Sequence, residues 1–233
     1  MRVPKRLRRA ANYLWREWIK PAAFVAIIVF PLKSAVADWN WVPTGSMKPT
    51  ILEGDLVFVN KLAYDLKVPF TLQRLAAWDD PARGDIVVLF SPHDGTRLVK
   101  RVVGVPGDTL ELRNNVLLLN GQAMAYESVD AQAYAKEIYE DARAVLAIER
   151  GAGPSHLVME LPSRRAARTF EAITVPPGKY FMLGDSRDNS FDSRFWGFAG
   201  RKQIVGKASG VLLSFDKNHH YMPRLGRTFS SLD

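Results

Sequence analysis

The 233-residue chain contains no cysteine. Disulfides, cysteine-ligated zinc and a thiol nucleophile are excluded together. The compartment stays open, since a chain without thiols is at home on either side of a membrane. Histidine is scarce: His93, His156, His219 and His220 are the four present. His93 stands in the turn-like SPHDGT and the others in polar sequence, so no Ser-His-Asp triad suggests itself. His219 and His220, as neighbours on an extended chain, would point to opposite sides, which argues against a shared metal. No internal repeat is present. Charge of either sign is missing from Pro21 to Leu32, PAAFVAIIVFPL.

What is there begins with an apolar content of 47%, enough for a real core. The net charge of +8 invites a nucleic-acid reading, but residues 1–20 carry +6 of it and the other 213 residues only +2. A nucleic-acid domain would spread such charge along a face. A basic block directly before an apolar segment follows the positive-inside rule instead. A solvated basic tail is the plainer alternative.

Taken from Trp18 to Ala37 the apolar segment has twenty residues, about 30 Å as a helix, one hydrocarbon thickness. Lys20 and Lys33 would lie near its two ends, with Trp15, Trp18, Trp39 and Trp41 as interfacial aromatics. Pro31 is tolerable near the end of such a helix. A buried core helix and a cleavable signal peptide ending at Ala35-Val36-Ala37 compete with this reading. Lys33 and Ser34 interrupt the apolar run, which favours an uncleaved anchor. We therefore divide the start into a basic cytoplasmic segment (1–17) and a transmembrane anchor (18–38).

Beyond the anchor the pattern turns to strands. Asp55–Tyr64, Asp85–Phe90, Arg97–Val105 and Asp108–Gln122 are β-branched or alternating runs bounded by Gly, Pro and Asn. Three of them follow a Gly-Asp step that supplies the turn. Val175–Asp185 and Ile204–Phe215 return to the same pattern, and the final residues read as a surface ending. Residues 123–172 are rich in charge and alanine and read as an inserted lobe. Within it Tyr134, Ile138, Tyr139, Ala142 and Val145 fall at helical spacing. The expected fold is mainly β, an antiparallel core over 39–122 and 173–233 with the lobe inserted and one N-terminal transmembrane helix.

Ser46, in PTGSMKPT, needs a base to act as a nucleophile. Lysine can serve only where its ammonium is desolvated. Lys100, in RLVKRVVGVPGD, shares a strand face with Leu98 and Val102, while Val99, Arg101 and Val103 share the other. A lysine blunting a sheet edge fits the same pattern. A third stretch, GDSRDNSFDSR at 184–194, alternates acidic and basic residues closely enough to pair around one ordered turn, and also fits a solvated loop.

PTGSMKPT, RGDIVVLF, LVKRVVGVPGD and GDSRDNSFDSR, together and in this order, resemble the four conserved boxes of type I signal peptidases, the bacterial leader peptidase family. The resemblance implies a serine endopeptidase that removes signal peptides from exported preproteins after Ala-X-Ala sites, with no cofactor and no metal. It implies Ser46 as nucleophile and Lys100 as general base, with Thr44 joining the Ser46 N–H in the oxyanion hole. Ser190 matches the serine that hydrogen-bonds and orients the lysine. Asp192 and Arg194 match a supporting ion pair, with Asp185, Arg187 and Arg101 shaping the same wall. Val42, Pro43, Met47, Ile51, Leu98 and Val99 fall at substrate-pocket positions. The implied partners are preproteins and the lipid bilayer, not nucleic acid. The implied place is the bacterial inner membrane, crossed once, with the amino terminus cytoplasmic and the catalytic part periplasmic.

The sequence departs from the family pattern in three respects. It has one anchor where some relatives have two, and its lobe is short and lacks their cysteine pair. Ser186 stands where asparagine is commoner. A narrow-substrate peptidase of conjugation type and a catalytically inactive membrane-tethered binding module are the alternatives. Ala35–Ala37 also satisfies the substrate rule, so self-cleavage there is a further reading.

Overall fold

The computed structural model describes residues 12–134, 143–151 and 153–232. Most of the basic segment expected at 1–17 therefore lies outside the described residues. Helix covers Asn12–Val36, 25 residues, with a π-helical turn at Trp15–Ile19 leading into the α-helix Lys20–Val36. Its length is about 37 Å at 1.5 Å per residue. Phe24, Ile27 and Phe30 are exposed along it, so none of the described residues covers this apolar surface.

The helix stops at Val36 and passes directly into the strand Ala37–Trp41. Ala37 and Asp38, counted with the anchor from sequence, are therefore sheet residues. Two contacts tie the helix end to the body. The Ser34 carbonyl accepts a 2.8 Å hydrogen bond from Lys61 Nζ, and its hydroxyl accepts one of 2.7 Å from the Phe70 N–H. Lys33 Nζ sits 3.0 Å above the Trp39 ring, a cation–π contact.

The main sheet is antiparallel and runs in the order Ala37–Trp41, Asp55–Asn60, Ile204–Asp216, Ile86–Phe90, Arg97–Gly104, Lys179–Leu183, Ala199–Gly200. One buried cluster on it unites Val42, Met47, Ile51, Val57, Val59, Val88 and Val99, and another Val87, Leu89, Val102, Tyr180, Met182 and Ile204. Alternation along the strands sends neighbours into different clusters, as Val87 and Val88 show.

Asp108–Gln122 is not one strand but a hairpin, Thr109–Arg113 with Val116–Leu119, turned at Asn114-Asn115. Both asparagines have positive φ, 49° and 64°, a conformation asparagine tolerates better than most residues. Phe170–Thr174 pairs back onto Thr109–Arg113, so residues 170–172 belong to the core rather than to the lobe.

The lobe is a three-stranded antiparallel sheet, Ala125–Val129, Val145–Arg150 and His156–Glu160. Of the helix expected around Tyr134–Val145, residues 135–142 lie outside the described residues. Tyr134 closes a 3-10 turn and Val145 opens a strand in which Leu146 to Glu149 have pairing partners on both sides.

The ending is tied down more firmly than a surface tail. Met222–Pro223 and Ser230–Ser231 both pair with the Ile204–Asp216 strand. Arg227 donates to the Thr50 carbonyl at 2.9 Å and to the Asp55 carboxylate at 2.8 Å, bracing the segment that follows Ser46.

Candidate active site

Ser46 lies on a turn between the strands Ala37–Trp41 and Asp55–Asn60. The two ends of the intervening segment are laced by Val42 N–H to Asp55 O and Gly54 N–H to Val42 O, both 2.9 Å. Met47 and Ile51 anchor the turn in the core at 1% and 0% exposure. Those contacts leave Ser46 half-buried, with its carbonyl accepting a 3.1 Å hydrogen bond from the Ser186 N–H.

Lys100 approaches from the Arg97–Gly104 strand, which is hydrogen-bonded on one side to Ile86–Phe90 and on the other to Lys179–Leu183. The second ladder ends at Arg101, paired with Leu183, so burial rather than two-sided pairing sets Lys100 apart from an exposed edge lysine. The Lys100 side chain is 2% exposed, and Nζ lies 2.5 Å from Ser46 Oγ across 54 residues of sequence. Burial pushes its pKa down to about 8, against the upward pull of Asp192 and Asp185, with Arg194 adding to the fall. At pH 7 about a tenth of such an amine is neutral, compared with under a thousandth for a free lysine. A neutral amine at hydrogen-bond distance from a hydroxyl can take its proton.

The 184–194 loop closes over this pair. Asp185 accepts from Arg101 at 2.8 and 2.7 Å and from the Thr50 hydroxyl at 2.6 Å. Asp192 accepts from Arg194 Nε and Nη2, both 2.8 Å, and from the Gly184 N–H at 3.1 Å. Gly184 has no room for a side chain, because a Cβ there would overlap Ser190 Oγ and the Ser46 carbonyl. Ser190 is buried against these atoms, but its hydroxyl makes no hydrogen bond among the described residues, and the expected bond to Lys100 is not formed. Thr44 is exposed, two residues before Ser46.

The model of one protein family, described as signal peptidase, peptidase S26, matches residues 15–213. The chain belongs to the signal peptidase family. It is accordingly a hydrolase of the serine peptidase kind. Signal peptidase I of Pseudomonas aeruginosa is 35% identical over 216 residues, covering 87% of this chain and 74% of that protein. Signal peptidase I P of Bacillus subtilis subsp. natto is 34% identical, covering 93% of this chain and 97% of its own length. A crystal structure of a signal peptidase I from Enterococcus faecalis V583 is 32% identical and aligns to 57% of this chain with a TM-score of 0.36.

Of the residues placed at pocket positions in this signal peptidase, Val42, Met47, Ile51 and Val99 meet in one buried cluster. Leu98 packs on the opposite strand face with Val102 and Trp196, and Pro43 is exposed. Among the described residues no group of three or more His, Asp or Glu side chains is gathered as a metal site. A cleft of about 570 Å³ opens between sheet and lobe, reaching Thr50 and Arg101 but lined by neither Ser46 nor Lys100.

Sequence reasoning missed three groups around the site. Thr50 was inside a quoted box, three residues before the Glu53-Gly54-Asp55 turn, and its hydroxyl could have been matched to an acidic partner. Arg97 and Lys61 both face Asp38, at 3.0 and 3.5 Å, joining the start of the lysine strand to the strand that follows the helix. Half-buried Tyr126 and His156 of the lobe cluster with buried Glu149 and Arg187. No local signal marks these last residues.

Proposed function

We propose that this chain is a membrane-anchored signal peptidase in which Ser46 is the nucleophile and Lys100 the general base. The observation that carries the proposal is the 2.5 Å approach of a buried, pKa-lowered lysine to a serine hydroxyl. Neutral Lys100 takes the Ser46 proton as Oγ attacks the scissile carbonyl carbon. The Ser46 N–H and the Thr44 hydroxyl are the donors for the resulting oxyanion. One such donor is typically worth about 3–4 kcal/mol. Protonated Lys100 then gives its proton to the leaving amine nitrogen as the C–N bond breaks. Lys100, neutral again, deprotonates the water that attacks the ester and returns that proton to Ser46 as the acyl–oxygen bond breaks.

The substrate lies extended beside the segment before Ser46 and the strand carrying Lys100, held by main-chain hydrogen bonds. The apolar wall of Val42, Met47, Ile51 and Val99 suits small side chains, hence cleavage after Ala-X-Ala. The exposed apolar helix supports an anchor in the bacterial inner membrane with its basic start in the cytoplasm. Ser46 follows Val36 by ten residues, at most about 33 Å of extended chain. That reach suits a bond emerging just beyond a membrane-embedded signal peptide.

The test is cleavage of a peptide with an Ala-X-Ala site in detergent, comparing wild type with Ser46→Ala and Lys100→Met. Wild type cuts after the second alanine and both variants are silent. A Lys100→Met variant that keeps its rate overturns the assignment of the base. A wild type inactive on all such peptides overturns the signal peptidase reading in favour of a narrower substrate or a binding role.

A further inference from the structure

The loop that carries Asp185 and Asp192 has a second attachment, away from Ser46. Arg187 is 2% exposed and extends into the lobe, where Nη1 lies 2.8 Å from Oε2 of Glu149. Glu149, on the Val145–Arg150 strand, is fully buried. Its Oε2 also accepts from the Tyr126 hydroxyl at 2.6 Å, and its Oε1 faces His156 Nε2 at 3.4 Å. Burial alone would push the Glu149 carboxyl up, but the Arg187 guanidinium, with His156 and the Tyr126 hydroxyl, more than offsets this and holds it below the ordinary range. Glu149 is therefore ionised across the neutral range, as a buried guanidinium requires of its partner.

Main-chain contacts run beside this pair. Met159 N–H donates to the Asp185 carbonyl at 2.8 Å, and Leu161 N–H to the Asp188 carboxylate at 2.9 Å. On the other side of the same loop, Ser186 N–H donates to the Ser46 carbonyl at 3.1 Å. Arg194, already paired with Asp192, donates to the Arg187 carbonyl at 2.6 Å. The residue that holds the serine turn and the residue that grips the lobe are thus adjacent in the chain.

We infer that Glu149 is a positioning residue: the lobe supplies the carboxylate that fixes Arg187 and, through it, holds the Ser186 N–H against the Ser46 carbonyl. This rests on the reading of Ser46 as nucleophile. The lobe is then a working part of the site rather than a passenger. An error of about 1 Å in the placement of a reacting group can cost about 100-fold in rate, so a brace one residue from the contact to Ser46 governs turnover more than binding. The apolar wall facing the substrate, built from other elements, is untouched.

The experiment uses full-length protein in detergent, an Ala-X-Ala peptide, and wild type, Ser46→Ala, Glu149→Gln and Arg187→Lys. Steady-state kinetics are run well below the thermal transition of each. Glu149→Gln keeps the side-chain shape without the charge, and kcat falls about 10- to 100-fold while KM stays within about twofold. Arg187→Lys keeps the charge balance but changes the geometry of the contact to Glu149, and kcat falls in the same sense. Glu149→Asp recovers part of the loss. A Glu149→Gln protein with lower Tm but wild-type kcat overturns the inference, making Glu149 purely structural. Where that variant does not fold, wild-type kcat in Arg187→Lys overturns it equally. If wild type cuts and Ser46→Ala does not, these outcomes bear on Glu149 alone. A wild type that cuts no such peptide removes the reading of Ser46 and the inference together.

Discussion

Arg101 grips Asp185 with two nitrogens of its guanidinium, at 2.8 and 2.7 Å, one residue along the strand from Lys100. Successive strand residues point to opposite faces. The loop therefore clasps the lysine strand from both sides, through Asp185 on the Arg101 face and through Asp192 near Lys100. Glu149 and Arg187 then join the same loop to the lobe.

The Arg101–Asp185 pair is buried at both ends, so removing one partner leaves an uncompensated charge. Asp185→Asn is expected to lower stability by about 3–5 kcal/mol, read as a shifted urea midpoint with unchanged slope. Burial raises the Asp185 carboxyl, but Arg101, with His156 and the Thr50 hydroxyl, outweighs it and the net shift is downward. The pair's contribution is therefore present above the ordinary carboxylate range and is lost as pH falls through the depressed value. The midpoints of wild type and Asp185→Asn should converge in acid.

Asp192 is the nearby charge that most favours the protonated form of Lys100, whereas Arg194 opposes it. Asp192→Asn removes the favourable charge and leaves Arg194 behind. The acid limb of kcat/KM should move to lower pH. Asp192 also caps the short helix Ser193–Trp196 through the Arg194 N–H, so a loss of about 1 kcal/mol or more in stability should accompany the shift.

The burial that lowers the Lys100 pKa also lowers stability. The folded pKa is about 8 against an ordinary 10.5. Below pH 8 both states are protonated and the folded state carries the whole penalty, about 3 kcal/mol. Between 8 and 10.5 the unfolded chain still binds a proton that the folded one has released, so stability rises with pH. Lys100→Met should unfold at higher urea than wild type at pH 7, with the advantage shrinking towards pH 10.5.

The site was legible where chemistry is compressed into short runs. Ser46 stands in a turn between strands, and Lys100 sits on an apolar strand face, where alternation correctly put it with Leu98 and Val102. Asp192 and Arg194 are two residues apart, so their pairing could be read locally. Glu149 and Arg187 are not, because only the folding of the lobe's strands brings a carboxylate 38 positions upstream onto the loop. The hairpin at Asn114-Asn115 does carry a local mark, since the paired asparagines interrupt the apolar residues on either side. Ser190 lies buried beside Gly184, but its hydroxyl has no hydrogen-bond partner among the described residues, which no residue pattern encodes.

The most direct test of the central claim is the pH dependence of kcat/KM for an Ala-X-Ala peptide, which reports the ionisations of the free enzyme. With Lys100 as base, activity rises through an apparent pKa near 8 and falls to about 1% of its plateau by pH 6. A limb near the ordinary histidine value, or a flat profile from pH 6 to 9, would contradict the account and place the base elsewhere.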